Sequence, residues 1–347
     1  MKIFIKTYGC QANINDSEIL AAEYLEKGYS IAGSENEADV ILINSCSVKN
    51  KTQSKILYYI KKFYNNKNTK IIVCGCLIKT IDLKKQFPKL EIRDTLNLKR
   101  LNKPLVRKDK DIAIIQISQG CLNECSYCAT KLAKGKLKSY SISEIKRAVE
   151  CAVKEGCKKI YLTSQDNGCY GLDIKSKQKI NLPSLINELT QIGGNYKIRV
   201  GMANPQYIIK YLPQLLKAFE SDKIQKFIHI PVQSGSDKVL REMKRGHTSN
   251  NFIKIAKEFR KSFSRKKFKD STIATDIIVG YPTETEKDFQ KTVDLIKTIK
   301  PEVLNISVFS SRPKTQANKL KQLSSELIKQ RSKKLNEAYW NYRNKIK

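Results

Sequence analysis

Short apolar runs and helix-period segments alternate along the first hundred residues, and this alternation limits the chain to a parallel α/β sheet. KIFIKTY is followed by NDSEILAAEYLEKG, with apolar residues at helical spacing and Gly28 to end it; DVILIN, KILYYIKKF and KIIVCG continue as strand, helix, strand. Strands joined through helices run parallel, with the helices covering the faces. In an open parallel sheet the carboxyl ends share one edge, where ligands bind. Cys10, Cys46 and Cys76 each fall just past one of the three strands, so three thiols can converge there.

After a charged, weakly patterned stretch, expected as a linker over 101–111, the alternation restarts. IAIIQI, KKIYLTS, KIRVGM, KFIHIPV, TIATDIIVG and VLNISVF read as six strands separated by helical stretches. Six such units fit an open, partial (β/α)6 barrel of the TIM type better than eight fit a closed one. Chemistry in such barrels sits on the loops that follow the strands. The first of these loops is QGCLNECSYCATKLAKG, with Cys121, Cys125 and Cys128. Just beyond it Ser141 and Glu144 have capping-box spacing and Gly156 ends the helix they begin. The expected domains are 1–100, 112–316 and a tail over 317–347. Eleven basic and two acidic residues between Arg312 and Lys347 predict a basic amphipathic helix there. Such a helix can contact nucleic acid or pack on the barrel with a solvated lysine face.

The chain of 347 residues has ten cysteines and two histidines, His229 and His247. No run of about 18 apolar residues spans a bilayer, and the opening MKIFIKTYGC is too short for a secretory core. A cytoplasmic protein is expected, without membrane contact, whose clustered thiols are metal ligands or buried groups, not disulfides. Structural zinc wants four ligands, and an iron-sulfur cluster also normally takes four thiolates. Three thiols in one turn leave one iron open for a substrate or cofactor. Lys and Arg number 66 against 33 for Asp and Glu, a net charge of +33 that favours polyanions, nucleic acid first. A compositional bias toward lysine accounts for part of that excess. Cys74, Cys151, Cys157 and Cys169 match no pattern, and both histidines read as packing or backbone-bonding residues.

CxxxCxxC on the first loop of a six-strand barrel, with Tyr127 before its last cysteine, resembles the radical SAM superfamily. The segments TYGCQANINDSE, INSCSVKNKT, VCGCL, SQGCLNECSYCATKLAKGKLKSY, LTSQDNGCYGLD, RVGMANP, HIPVQSGSDKVLREMKRGHT and ATDIIVGYPTETEKDF narrow the likeness. Together they resemble the methylthiotransferases of that superfamily, of the archaeal and eukaryotic type that modifies N6-threonylcarbamoyladenosine in tRNA. The resemblance implies an N-terminal open-sheet domain followed by the partial barrel. It implies two [4Fe-4S] clusters, one held by Cys121, Cys125 and Cys128, the auxiliary one by Cys10, Cys46 and Cys76. It also implies S-adenosylmethionine, whose cleavage gives a radical for replacing the adenine C2 hydrogen with a methylthio group. Tyr127, Gln165, Asp166, Arg199, Gln233 and Ser234 are the candidates to hold that cofactor; Gln233 and Ser234 read equally as a turn capping the next helix.

The resemblance brings partners with it: the anticodon loop of tRNA, an electron donor and, if needed, a separate RNA-binding subunit. A small C-terminal β-barrel of the TRAM type usually ends members of the family, and its absence is expected here. Arginine is usual in place of Lys134, and glycine in place of Thr283 and Lys314. The rivals are methylthiolation of isopentenyladenosine in tRNA or of a ribosomal-protein aspartate, and a non-catalytic, metal-stabilised RNA binder.

Overall fold

The computed structural model describes residues 1–66 and 68–344. Two compact units emerge, 1–121 with 128–165, and 122–127 with the chain from 166 onward. The first opens with β1 (Lys2–Thr7), α1 (Gln11–Glu26), β2 (Ser30–Ile31), β3 (Val40–Ser45), α2 (Asn50–Tyr64), β4 (Lys70–Gly75), α3 (Leu77–Thr80), α4 (Leu83–Gln86) and β5 (Glu91–Ile92). All five strands are parallel, in the order β2-β1-β3-β4-β5. The middle strand, VILINS, is buried at every position, as a parallel strand covered on both faces must be. One apolar layer joins Ile41, Ile43 and Val73 to Ile56, Tyr59, Ile60 and Phe63 of α2; the opposite layer joins Ile3, Leu42 and Ile72 to Leu20 and Tyr24 of α1.

The same unit continues with β6 (Ile112–Gln116), β7 (Ser118–Gln119), α5 (Ala129–Lys134), β8 (Lys138–Ser139), α6 (Ile142–Lys154) and β9 (Lys159–Thr163). Strands β6 and β9 pair in parallel, while β7 and β8 form a two-residue antiparallel clamp. Ser141 and Glu144 form the expected capping box of α6. Within the stretch read as a linker, Leu101 and Arg100 beside it are buried.

In the second unit lie α7 (Leu182–Thr190), β10 (Lys197–Val200), α8 (Pro205–Ile208), α9 (Leu212–Phe219), β11 (Phe227–His229), α10 (Asp237–Glu242), α11 (Ser249–Ser262), β12 (Thr272–Val279), α12 (Glu286–Ile299), β13 (Val303–Val308) and α13 (Ser325–Arg343). β11, β12 and β13 pair in parallel, and a parallel bridge joins Ile198 to Ile224. All six expected strands are present. Within the expected tail the helix starts at Ser325, where the Ser324 hydroxyl accepts the Leu327 N–H and caps it. It packs as an ordinary helix: Arg331 is buried and pairs with Glu284 at 3.0 Å, while the Tyr339 and Tyr342 hydroxyls donate to the carbonyls of Glu302 and Pro301. Among the described residues no helix is long and apolar enough to cross a membrane.

Candidate metal centres

Sheet register builds the first thiol set. Ser45 pairs with Gly75 and Thr7 with Asn44, so Cys46 and Cys76 leave adjacent strand ends together, and the Cys76 N–H donates to the Ser45 carbonyl at 2.9 Å. Cys10 is the N-cap of α1 and Cys76 that of α3. Helix N-termini favour an anionic sulfur. Two side chains lock the loops: Asn13 Nδ2 donates to the carbonyls of Tyr8 and Ser45 at 2.8 and 3.0 Å, and Asn44 Nδ2 to that of Asn13 at 2.8 Å. Cys46 and Cys76 are buried and Cys10 is exposed. Burial pushes the Cys76 thiol up to about 12; Lys134 opposes this, while Cys10 and Cys46 reinforce it, so the three sulfurs feel one another. Cys74, two residues earlier, sits in the apolar layer with Ile3, Leu20 and Ile72. The break in strand alternation falls at Gly75, whose φ is +87°.

A glycine precedes three of the six candidate ligands, and each has a left-handed φ: Gly9 at +107°, Gly75 at +87° and Gly120 at +75°. A β-carbon at Gly75 would lie 2.4 Å from the Ser45 carbonyl oxygen, and one at Gly120 would lie 1.9 Å from that of Lys136. Only glycine fits these turns.

Each unit holds its own part of the second thiol loop. In the first unit, the Gly120 N–H donates to Gln165 Oε1 at 2.7 Å, the Cys121 N–H to the Gly135 carbonyl at 3.3 Å, and Cys128 is the N-cap of α5. In the second unit, Ser126 is pinned by Met243, Glu242 and Tyr281, with its N–H on the Met243 carbonyl at 3.1 Å. Tyr127 packs against the cluster of Val239, Met243, Tyr281, Phe309 and Ala317. Asn123 donates to Asp166 at 2.6 Å and accepts from Gln206 at 2.7 Å.

The candidates for holding S-adenosylmethionine differ in what their side chains have left to offer. Gln165 braces Gly120. Asp166 is buried and takes N–H donors from Gly168, Asn204 and Asn123; burial raises its pKa against those donors. The Ser234 hydroxyl is buried within its turn, accepting from the Ser236 N–H at 3.1 Å. The Arg199 guanidinium stacks 4.2 Å from the Phe227 ring centre. Gln233 stands out, because it holds a φ of +75° and its buried Oε1 has no hydrogen-bond partner. Strain of this kind gathers at ligand sites.

Two buried cations escaped the sequence reading. Arg245 donates from Nη1 to Cys125 Sγ at 3.4 Å and from Nη2 to the Pro231 carbonyl at 2.8 Å, while its Nε–H has no partner. Lys134 at the end of α5 reaches Asp16 at 3.1 Å, and Asp16 also accepts from Arg100 Nε and Gln116, both at 2.8 Å. Arg100 and Lys134 share the one carboxylate of Asp16, and at Cys76 the field of Lys134 is opposed by that of Asp16. His229, expected as a packing residue, pairs with Asp276 at 3.0 Å; His247 faces the carbonyls of Arg245 and Val232, as a backbone-bonding histidine should.

The radical SAM superfamily model matches residues 115–296, and the model of the uncharacterized protein family UPF0004 matches 2–94. A probable threonylcarbamoyladenosine tRNA methylthiotransferase of Pyrococcus horikoshii is 40% identical, the match covering 96% of this chain and 83% of the relative. The chain belongs to this methylthiotransferase family of the radical SAM superfamily. The human threonylcarbamoyladenosine tRNA methylthiotransferase is 37% identical over 98% of this chain and 63% of its own length. The fold is also that of the radical S-adenosylmethionine methyltransferase TsrM from Kitasatospora setae, with a TM-score of 0.61 at 10% identity, covering 91% of this chain and 74% of that one.

A radical SAM methylthiotransferase uses [4Fe-4S] clusters and S-adenosylmethionine. The residues present fit such groups. An oxidised cubane held by three thiolates is net anionic, and a buried cation is costly without a counter-charge. Arg245 lies against one thiol of the second set with an N–H to spare, and the Lys134 ammonium lies near the first set.

Proposed function

We propose that this chain replaces the C2 hydrogen of N6-threonylcarbamoyladenosine at position 37 of tRNA with a methylthio group. The observation that carries the proposal is that a buried cation stands at a candidate ligand of each thiol set, Arg245 at Cys125 and Lys134 near Cys76. When bound, the two clusters and S-adenosylmethionine supply what side chains cannot, a radical able to break an unactivated C–H bond. Cys121, Cys125 and Cys128 hold the radical-generating cluster and Cys10, Cys46 and Cys76 the auxiliary one; three ligands leave each an open iron.

The chain's own residues position these groups. Arg245 orients and charge-balances Cys125. Gln233 offers Oε1 to a donor of S-adenosylmethionine, and Tyr127 and Arg199 supply flat surfaces near it. Gln165, Asp166 and Ser234 act behind these by fixing loop backbone. Electrons must reach the clusters, so an electron donor is a partner the chemistry calls for, and a separate RNA-binding subunit is a compatible one. The cytoplasm, with its tRNA and its reduced thiols, is the compartment that suits ten cysteines outside any disulfide.

The test is anaerobic incubation of reconstituted protein with S-adenosylmethionine, reductant and tRNA bearing threonylcarbamoyladenosine, followed by nucleoside mass spectrometry. A nucleoside heavier by one methylthio group in place of hydrogen is the expected product. If 5′-deoxyadenosine forms and isopentenyladenosine tRNA is modified instead, the substrate assignment fails while the radical chemistry stands.

A further inference from the structure

Helix α2 differs from the other long helices in charge. Its fifteen residues carry four lysines and no carboxylate. By contrast α1, α6, α11, α12 and α13 all interleave acids. Its buried face is Ile56, Tyr59, Ile60 and Phe63. On the opposite face Lys51, Lys55, Tyr58 and Lys62 are exposed at spacings of four, three and four, a single stripe that spans about 16 Å at 1.5 Å per residue. Among the described residues, Lys62 is the one lysine of this stripe in an ion pair, with Glu35 at 3.5 Å. The Tyr58 ring is 73% exposed.

Lys51, Lys55 and Tyr58 contribute little to the fold, whereas Lys62 pairs with Glu35 and lies over the Phe63 ring. Like charges four apart on a helix repel, and an exposed tyrosine contributes no burial. The stripe does suit a polyanion with unpaired bases, since ammonium groups meet phosphates and a bare aromatic face stacks a splayed base without regard to its identity. Its position has meaning too. The chain enters α2 directly from Cys46, through Val48, itself 58% exposed, and Lys49, at the sheet edge that bears Cys10 and Cys76.

We propose that the exposed face of α2 docks the anticodon loop of the substrate tRNA, with the backbone along Lys51 and Lys55 and an unpaired base on Tyr58. The inference rests on tRNA being the substrate and adds the surface that holds its loop beside the first thiol set.

The test measures binding of unlabelled full-length protein to fluorescent tRNA by anisotropy across a salt series. Each lysine that contacts a phosphate contributes about one to the slope of log affinity against log salt. K51E/K55E is expected to weaken binding at least tenfold and to lower the slope by about two. Y58A is expected to weaken binding several-fold at unchanged slope. K175E/K177E, with the same charge change on an exposed loop, is the control and is expected to leave the slope within one of wild type. Equal losses for K51E/K55E and K175E/K177E, or an unchanged slope for K51E/K55E, overturn the proposal. K51Q/K55Q repeats the measurement without charge reversal, and coincident melting curves exclude unfolding. If wild type modifies tRNA and the α2 variants bind as well as it does, this inference fails alone; if wild type neither binds nor modifies tRNA, the functional reading fails first.

Discussion

Replacing Asp16 with asparagine removes the only negative charge from a buried triad. The carboxylate is fully buried and takes Arg100 Nε at 2.8 Å, Lys134 Nζ at 3.1 Å and Gln116 Nε2 at 2.8 Å. At an effective dielectric near 20, unit charges about 3 Å apart attract by roughly 5 kcal/mol. Most of that offsets desolvation, and orphaning one buried charge typically costs about 3–5 kcal/mol. D16N orphans two, so a loss of about 4–6 kcal/mol is expected. K134M leaves Asp16 with Arg100 and Gln116, and its expected cost is about 2 kcal/mol, that of one charged hydrogen bond. The assay is anaerobic urea unfolding of the metal-free protein followed by circular dichroism. The double variant should lose less than the sum of the single ones by about 1 kcal/mol or more, since it removes two members of one network. Burial pushes the Asp16 carboxyl up, but the fields and hydrogen bonds of Lys134 and Arg100 outweigh it and hold it below the usual carboxylate range. Its contribution is therefore present above about pH 4 and is lost as pH falls, a slope that D16N should flatten. A D16N cost below about 1 kcal/mol, or one smaller than that of K134M, refutes the reasoning.

Alanine at Cys121, Cys125 or Cys128 is expected to abolish 5′-deoxyadenosine formation. Alanine at Cys10, Cys46 or Cys76 should spare it and remove methylthio transfer; loss of both activities in the second set contradicts the division of labour. Burial and the neighbouring Arg245 push the His247 imidazole down to about 4, so folding favours its neutral form. Stability should fall by about 3 kcal/mol as pH drops from 6.5 to 4, and a glutamine variant should lose that dependence in urea titrations at each pH. Lys314 occupies a φ of +66°, a left-handed conformation that favours glycine. K314G should raise the melting midpoint by an amount worth about 1 kcal/mol, and a drop would mean the side chain has a role beyond its backbone.

The sheet and the thiol positions were legible because parallel strands covered on both faces read as unbroken apolar runs, and VILIN and IIVCG each end one residue short of, or at, a cysteine turn. The buried cations were not. Lysine ordinarily stays in water, so nothing local marks Lys134 as buried, and Arg245 meets Cys125 across 120 positions of sequence. Asp166 and Ser234 were picked for standing at strand ends, where ligands bind, but that same position leaves backbone N–H groups in need of acceptors, and these take the side chains. Gln233 shows the opposite case, since its unpartnered amide oxygen and left-handed backbone appear only in three dimensions.

The glycine turns before Cys10, Cys76 and Cys121 have a consequence for maturation. Small zinc domains acquire their shape from the metal, so delivery and folding are one event. Here ladder hydrogen bonds, the asparagine brackets and the tight turns hold the thiol-bearing loops through contacts that involve no metal. Loading a cluster there would then be capture by a receptor that the fold has already shaped. In the sheet domain that receptor has a direction, because Cys10 faces solvent while Cys46 and Cys76 lie beneath it. Cys10 is therefore the thiol of this set that a reagent in solution reaches first, and its alkylation should block loading fastest.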